Sequence, residues 1–213
     1  IAQKIMGKNF IGPGELLKIS QFLKVEIPKT IPDVLFSESF LKKIKKDYIL
    51  ILGIGKDKKG KALTINRMQK IFGTDPKKSE PCFYNQDWYL KEKFANNQIL
   101  SFKWYFIKKR VDAKTRGMDP ERIAKKLKNR KIFPPAILCV FTFFAYYLSR
   151  KEILWEKDFI WCQDKDSNGD RIYVGRYKDL QKVNKNGFNI HRHLSLKKSY
   201  GYSGYYTSKS RVY

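Results

Sequence analysis

Histidine and cysteine are scarce in this chain of 213 residues, which contains two histidines and three cysteines. Cys82, Cys139 and Cys162 lie far apart and match no CxxC pattern. The chain therefore lacks the ligand density and spacing that a structural zinc site requires. We expect free thiols in a reducing compartment, and hence a cytoplasmic protein.

Long apolar runs are also missing. The most apolar stretch, residues 136–148, covers about 13 residues, whereas a membrane-spanning helix needs about 20. It follows Pro134 and Pro135, which suit the first turn of a helix, and basic residues flank both of its ends. The pattern predicts a buried core helix and no transmembrane segment. No signal peptide is recognisable at the N-terminus.

Acidic residues are few compared with basic ones. The chain has 20 Asp and Glu against 45 Lys and Arg, which gives a formal net charge of +25. A compact state with this charge repels itself unless a polyanion binds to it. Nucleic acid is the commonest polyanion, ahead of an anionic membrane surface or an acidic protein. The composition therefore favours nucleic acid (DNA or RNA) as the partner.

Helical periodicity dominates the N-terminal third. Apolar residues recur at helical spacing in residues 12–25, 38–46 and 65–73. Ser37 and Thr64 are the expected N-caps of the second and third helices, and Gly73 ends the third. Between them, residues 48–54 form an apolar run that predicts a buried strand.

The rest of the chain is predicted to be mostly β. Aromatic and β-branched residues predict strands at 87–94 and 99–111, joined by a hairpin at 95–98, and further strands in the last third. A basic helix is expected from Pro120 to residue 130, with Asp119 as its N-cap. The predicted class is α+β, with a helical N-terminal third and antiparallel strands around the apolar helix at 136–148.

Domain boundaries are set by composition. Residues 1–196 are expected to form a single domain, within which residues 1–75 are a candidate subdomain. Residues 197–213 are rich in Tyr, Ser and Gly, and they have too few aliphatic groups to build a core. We therefore predict a basic tail that is mobile in the unbound protein.

The spacing G-x-x-x-x-G-K occurs at Gly55, Gly60 and Lys61, after the predicted strand. A working phosphate loop needs a Ser or Thr after the Lys to bind magnesium, and its helix must begin inside the loop. Here Ala62 follows the Lys, and the helix is expected only after Thr64. The stretch is predicted to be a charged turn.

The stretch 164–170 contains three aspartates and resembles the first half of a calcium loop. Gly175 occupies the position of the required glutamate, and strands rather than helices are expected on both sides. Asn168-Gly169 instead favours a tight hairpin in which both residues have positive φ. The alternative is that Asp164, Asp166 and Asp170 bind a metal ion such as Mg²⁺.

Both histidines lie in one predicted strand near residue 190. Alternation places Asn189, His191 and His193 on the same face, where imidazoles can bind a metal, transfer protons or contact phosphate, or can simply face water. A divalent-metal-dependent endonuclease of the restriction or homing type, with Asp164, Asp166, His191 and His193 as catalytic residues, is therefore an alternative function.

The strongest functional signal is the mixture of basic and aromatic residues. Residues 103–131 contain 12 basic and three acidic side chains, and seven tyrosines follow residue 172. Cations neutralise phosphates and aromatic rings stack on unpaired bases, so nucleic-acid binding is the leading hypothesis. A structural role in a ribonucleoprotein particle is a weaker alternative. The predicted contact residues are Lys108, Lys109, Arg110, Arg116, Arg122, Lys125, Lys126, Arg130, Arg176, Arg192, Lys197, Lys198 and Arg211.

Overall fold

The described part of the chain contains two four-stranded β-sheets, seven α-helices and three short 3₁₀ helices. The structure is a computed structural model that describes residues 1–78, 80–127, 133–156, 158–177, 187–192 and 198–207. The protein therefore has the mixed α+β class that the sequence predicts, including a helical N-terminal region.

The first sheet contains strands from both ends of the described chain. Its strands are β1 (Phe10–Ile11), β2 (Tyr48–Leu52), β3 (Trp104–Lys108) and β8 (Tyr205–Thr207), in the order β1-β2-β3-β8. β2 and β3 are antiparallel, as are β3 and β8, while β1 runs parallel to β2. β2 and β3 occupy the centre of the sheet, and most of their side chains are buried.

The second sheet contains β4 (Phe159–Lys165), β5 (Arg171–Tyr177), β6 (Gly187–His191) and β7 (Tyr200–Gly201). Their order is β6-β5-β4-β7, so β6 is an edge strand, and β7 runs parallel to β4. The other two pairs are antiparallel. The predicted hairpin between β4 and β5 is confirmed.

The helices are α1 (Ala2–Met6), α2 (Pro13–Leu23), α3 (Glu38–Ile44), α4 (Ile65–Phe72), α5 (Lys93–Asn97), α6 (Pro120–Lys126) and α7 (Ala136–Arg150). Three predicted N-caps are confirmed. The side chains of Ser37, Thr64 and Asp119 each accept a hydrogen bond from the backbone N–H three residues later, at 2.8–3.2 Å. These bonds satisfy N–H groups that have no partner within the helix.

The apolar helix α7 forms the centre of the core and contacts β1 of the first sheet and β4 and β5 of the second. Its residues from Ala136 to Tyr146 are buried. The ring of Phe144 stacks on Phe72 at 4.1 Å, and that of Phe143 lies 4.7 Å from Phe188. The prediction of a buried helix here is confirmed. No helix in the described ranges is both long and apolar enough to cross a membrane.

The strand predicted at 87–94 and its hairpin at 95–98 are wrong. Trp88–Lys91 is a short 3₁₀ helix, and α5 follows it. Tyr89 and Phe94 are buried, and the side chain of Asn96 donates to the carbonyl of Leu90 at 2.7 Å. The aromatic residues therefore anchor a compact helical segment to the core, and this packing overrides their preference for strands.

The prediction of a tail is also wrong for residues 198–207. This segment contains β7, which pairs with β4 of the second sheet, and β8, which pairs with β3 of the first. The ring of Tyr200 lies 4.6 Å from that of Tyr173, and that of Tyr206 lies 5.6 Å from that of Tyr48. Aromatic rings thus supply the apolar area that aliphatic side chains do not. Residues 197 and 208–213 lie outside the described residues.

Candidate nucleic-acid interface

A cleft of about 670 Å³ opens where the start of β2, the end of β3, the end of α6 and the segment before β8 meet. Three tyrosines, two lysines and one aspartate line it, and Leu127 and Gly204 complete its wall. We call this the tyrosine cleft, and its polar and aromatic residues are Tyr48, Lys108, Asp112, Lys126, Tyr202 and Tyr206.

Backbone hydrogen bonds hold the two halves of the cleft together. The N–H of Lys108 donates to the carbonyl of Gly204 at 2.9 Å, and the N–H of Asp112 donates to that of Tyr202 at 2.7 Å. In the other direction, the hydroxyl of buried Ser203 donates to the Lys108 carbonyl at 2.8 Å. These bonds explain why the Tyr-rich segment is fixed beside the end of β3.

The tyrosine hydroxyls converge inside the cleft. A Cβ atom placed on Gly204 would lie 3.2 Å from the Tyr48 hydroxyl and 3.4 Å from the Tyr202 hydroxyl. Burial raises the pKa of Tyr48 well above its usual value. Repulsion from the ionised form of Tyr206 and the hydrogen bond between the Tyr48 and Tyr206 side chains raise it further. Burial also raises the pKa of Tyr202. Both hydroxyls are therefore neutral at physiological pH.

Lysine side chains provide the positive charge of the cleft. The ammonium group of Lys126 donates to the carbonyl of Lys114 at 3.4 Å, which places it beside the loop that follows β3. Lys108 is half-buried at the end of β3, whereas Lys114, Arg122 and Lys125 are exposed. One carboxylate oxygen of Asp112 accepts the Lys114 N–H at 3.0 Å and so holds this loop in place.

Three arginines of the predicted contact set are paired with carboxylates. Arg116 binds Asp158 at 2.7 Å and is also within 3.3 Å of the Lys198 carbonyl. Arg192 binds Asp166 at 3.3 Å, and its guanidinium lies 4.7 Å from the ring of Trp88.

Arg176 is buried and forms an ion pair with Glu80. A phosphate would have to displace this buried ion pair, so a contact at Arg176 stays a prediction without structural support. For Arg116 and Arg192, a phosphate would have to compete with a carboxylate that is already bound.

Lys109 and Arg110 follow Lys108 at the end of β3, and Arg110 is exposed. The ammonium of Lys109 lies 5.7 Å from the ring centre of Tyr146 in α7. Burial lowers the pKa of Lys109, and the neighbouring positive charge of Lys8 lowers it further. Lys198 is exposed. The predicted contacts Arg130, Lys197 and Arg211, and the predicted catalytic residue His193, lie outside the described residues.

The acidic hairpin, residues 164–170, is closed by its own hydrogen bonds and also caps a helix. Asp164 is buried, and its carboxylate accepts the N–H of Ala136, the first residue of α7, at 2.6 Å. Asp166 accepts the N–H groups of Asn168 and Asp170 at 3.0 and 2.8 Å. Among the residues that the structure describes, no group of three or more His, Cys, Asp or Glu is placed to hold a metal ion. Asp164, Asp166 and Asp170 are therefore not gathered as a ligand set.

The turn type of this hairpin differs from the prediction. Gly169 has a φ of 87°, whereas Asn168 is not among the non-glycine residues with positive φ. The N–H of Gly169 donates to the Asp166 carbonyl at 3.0 Å, and the N–H of Asp166 donates to the Asp170 carbonyl at 2.9 Å. This pattern belongs to a three-residue loop with a glycine bulge, which requires positive φ only at the glycine.

His191 lies at the end of the edge strand β6, and its ring stacks on Tyr173 with 5.1 Å between the ring centres. Its Nδ1 accepts the N–H of Arg192 at 3.0 Å. Asn189 is buried, so the face of β6 that alternation assigns to water is covered at this position. These contacts give His191 a packing role, and its catalytic role stays a prediction.

The G-x-x-x-x-G-K stretch is a turn, as predicted. One carboxylate oxygen of Asp57 accepts the backbone N–H groups of Lys59 and Lys61 at 2.9 and 3.0 Å. The other oxygen accepts two hydrogen bonds from Arg67 at 2.8 and 3.2 Å. The amide groups that would bind a phosphate thus already bind a carboxylate of the chain itself.

Sequence reasoning missed Tyr48 in the cleft and Lys114 beside it. Tyr48 begins a strand that reads as pure core, and nothing near it in the sequence indicates an open face. Lys114 lies in the basic stretch at residues 103–131, but its sequence context does not distinguish it as a contact residue. Tyr202 and Tyr206 were indicated only by the tyrosine content of the supposed tail.

The chain matches no protein-family model, and no curated protein and no solved structure is significantly similar to it. The functional argument therefore rests on the residues of this chain and their geometry.

Proposed function

We propose that this protein binds nucleic acid through the tyrosine cleft and the exposed basic residues around it. The observation that carries the proposal is the meeting of two separate basic and aromatic stretches at one cleft. Lys108 and Lys126 come from the first stretch, and Tyr202 and Tyr206 come from the second. A net charge of +25 supports a polyanionic partner for the chain as a whole.

The binding energy would come mainly from counterion release. Each lysine that neutralises a phosphate displaces bound cations, so the affinity falls with rising salt concentration. Lys108 and Lys126 line the cleft, Lys114 lies beside Lys126, and Arg122 and Lys125 are exposed on the same helix as Lys126. These five cations form the proposed phosphate-binding surface.

The test compares two double variants that remove the same charge. In Lys108→Ala/Lys126→Ala the cleft loses both lysines. The control is Lys58→Ala/Lys59→Ala. These two exposed lysines lie in the turn that follows the end of β2, whereas Tyr48 lies at its start. Anisotropy titrations with a labelled duplex at several salt concentrations should show the log–log slope of the cleft variant reduced by about two units. The control should keep a slope near that of the unmodified protein. Equal slopes for all three proteins would contradict the proposal.

The endonuclease and ribonucleoprotein alternatives stay predictions. No observation among the described residues favours either of them. The two carboxylates predicted to be catalytic, Asp164 and Asp166, instead cap a helix and close a hairpin. Incubation with plasmid and with structured RNA, with and without Mg²⁺, separates an enzyme from a binding protein. Discrete cleavage products that require Mg²⁺ would support the enzyme.

A further inference from the structure

We infer that the tyrosine cleft takes a single unpaired nucleotide, so that the protein binds single strands more tightly than duplexes. This inference rests on the proposed function and concerns the form of nucleic acid that the cleft selects. Its basis is the combination of a cavity of limited size, three aromatic rings and lysines at one place.

The size of the cleft suits one nucleotide. Pockets that hold small organic ligands usually measure about 300–1,000 Å³, and the tyrosine cleft has about 670 Å³. A duplex keeps its bases stacked inside and presents only phosphates and groove edges to such an opening. A single strand can turn one base into the cleft at a much lower cost.

The chemistry of the lining matches the parts of a nucleotide. The rings of Tyr48 and Tyr206 are 5.6 Å apart and inclined by 44°, so they form a wedge of aromatic surface rather than a closed stack. Aromatic surface stacks on every base, because each base has a π-face. The aromatic surface is therefore the part of the lining that suits a base.

The charged residues place the backbone of the strand. Lys108 and Lys126 attract the phosphates of the nucleotide and its neighbour. Asp112 repels phosphate, and its carboxylate instead suits an exocyclic amino group or a ribose hydroxyl, both of which donate hydrogen bonds. The lining therefore has separate places for phosphate and for the base or sugar.

Gly204 allows the cleft to be filled without removing a charge. Its backbone does not have positive φ, so alanine is conformationally acceptable there. The added methyl group would lie 3.2 and 3.4 Å from the hydroxyls of Tyr48 and Tyr202, so these two rings would have to shift by only a few tenths of an ångström. Gly204→Ala should therefore fold, as thermal melting can verify, and should narrow the cleft.

The experiment measures the affinities of full-length protein and Gly204→Ala for a labelled DNA strand, an RNA strand and a DNA duplex of the same sequence. We expect Gly204→Ala to weaken single-strand binding about tenfold, the loss expected when one base no longer stacks. Duplex binding should change less than about twofold, since no cation is lost. The single strand that shows the larger loss identifies the sugar that the cleft accepts.

A second pair of variants keeps the inference testable if Gly204→Ala melts early. Tyr206→Leu removes a ring from the cleft, whereas Tyr206→Phe keeps the ring and serves as the matched control. Single-strand affinity should fall with Leu and persist with Phe.

Equal losses on single strand and duplex, or no loss on either, would overturn the inference. The proposed function is judged separately by the effect of Lys108→Ala/Lys126→Ala on the salt dependence of duplex binding.

Discussion

Replacing Asp57 by Asn tests whether the G-x-x-x-x-G-K stretch is a structural turn. The Asp57 side chain is 1% exposed and that of its partner Arg67 is 31% exposed. The carboxylate accepts two backbone N–H groups and two guanidinium N–H groups. An Asn can still accept from the backbone of Lys59 and Lys61, but its amide NH₂ would face the donors of Arg67.

The magnitude follows from the position of the pair. Breaking a deeply buried ion pair costs about 3–5 kcal/mol. Here the pair lies in a turn, and water can solvate Arg67 once its partner is gone, so we expect a loss of about 2 kcal/mol in the free energy of unfolding at pH 7. With a urea m-value of about 2 kcal/mol/M, the unfolding midpoint should fall by about 1 M.

The effect should depend on pH. Burial by itself would raise the pKa of Asp57, but hydrogen bonds from Lys61 and Arg67 outweigh it and lower the pKa below its usual value of 3.8. A lowered pKa contributes stability above the unfolded value and loses it as the pH falls through the folded value. The difference between Asp57→Asn and the unmodified protein should therefore be full at pH 7 and shrink below about pH 3.8.

Urea unfolding at pH 7 and pH 3 measures this difference. Lys61→Ala is the control, because the hydrogen bonds of Lys61 in the turn come from its backbone, which the change to Ala keeps. Lys61→Ala should leave stability nearly unchanged, and neither variant should change the affinity for nucleic acid. A midpoint for Asp57→Asn that equals that of the unmodified protein, or micromolar ATP binding that Lys61→Ala abolishes, would refute the turn interpretation.

Two further predictions concern stability. Burial raises the pKa of Asp164, so its contribution to stability falls as the pH rises from the unfolded value through the folded one. Asp164→Asn should therefore raise the urea midpoint at pH 7, whereas Asp164→Ala should cost about 1–3 kcal/mol because the buried Ala136 N–H loses its acceptor. A lower midpoint for Asn than for Ala would contradict this assignment. Tyr200→Ala should lower the free energy of unfolding by about 3 kcal/mol, since its ring packs against those of Tyr173 and Phe159. An unchanged urea midpoint would contradict the packing of residues 198–207 in the fold.

The parts of the fold that could be predicted are those set by local chemistry. Ser37, Thr64 and Asp119 cap helices because each side chain reaches an N–H three residues ahead, and the sequence alone contains that information. The buried helix α7 follows from one continuous apolar run between basic flanks. The hairpin at 166–170 follows from its Asn-Gly pair.

The errors arose where distant packing decides the structure. Tyr89 and Phe94 suit a strand in isolation but are buried as parts of a helical segment. Residues 198–207 resemble a disordered tail by composition, yet their rings contact rings of β2, β4 and β5. The tyrosine cleft could not be predicted for the same reason, because Tyr48 and Tyr206 meet only through the pairing of β8 with β3.

That pairing has a consequence for how the protein is made. β8 pairs with β3 and β7 pairs with β4, so each sheet is completed by residues near position 200. During synthesis on the ribosome, β2 and β3 emerge long before their last partner and expose an unpaired strand edge in the meantime. A nascent chain that stops before residue 200 has Tyr48, Lys108 and Lys126 but lacks Tyr202, Gly204 and Tyr206, which complete the cleft. Translation must therefore pass residue 206 before the tyrosine cleft is complete.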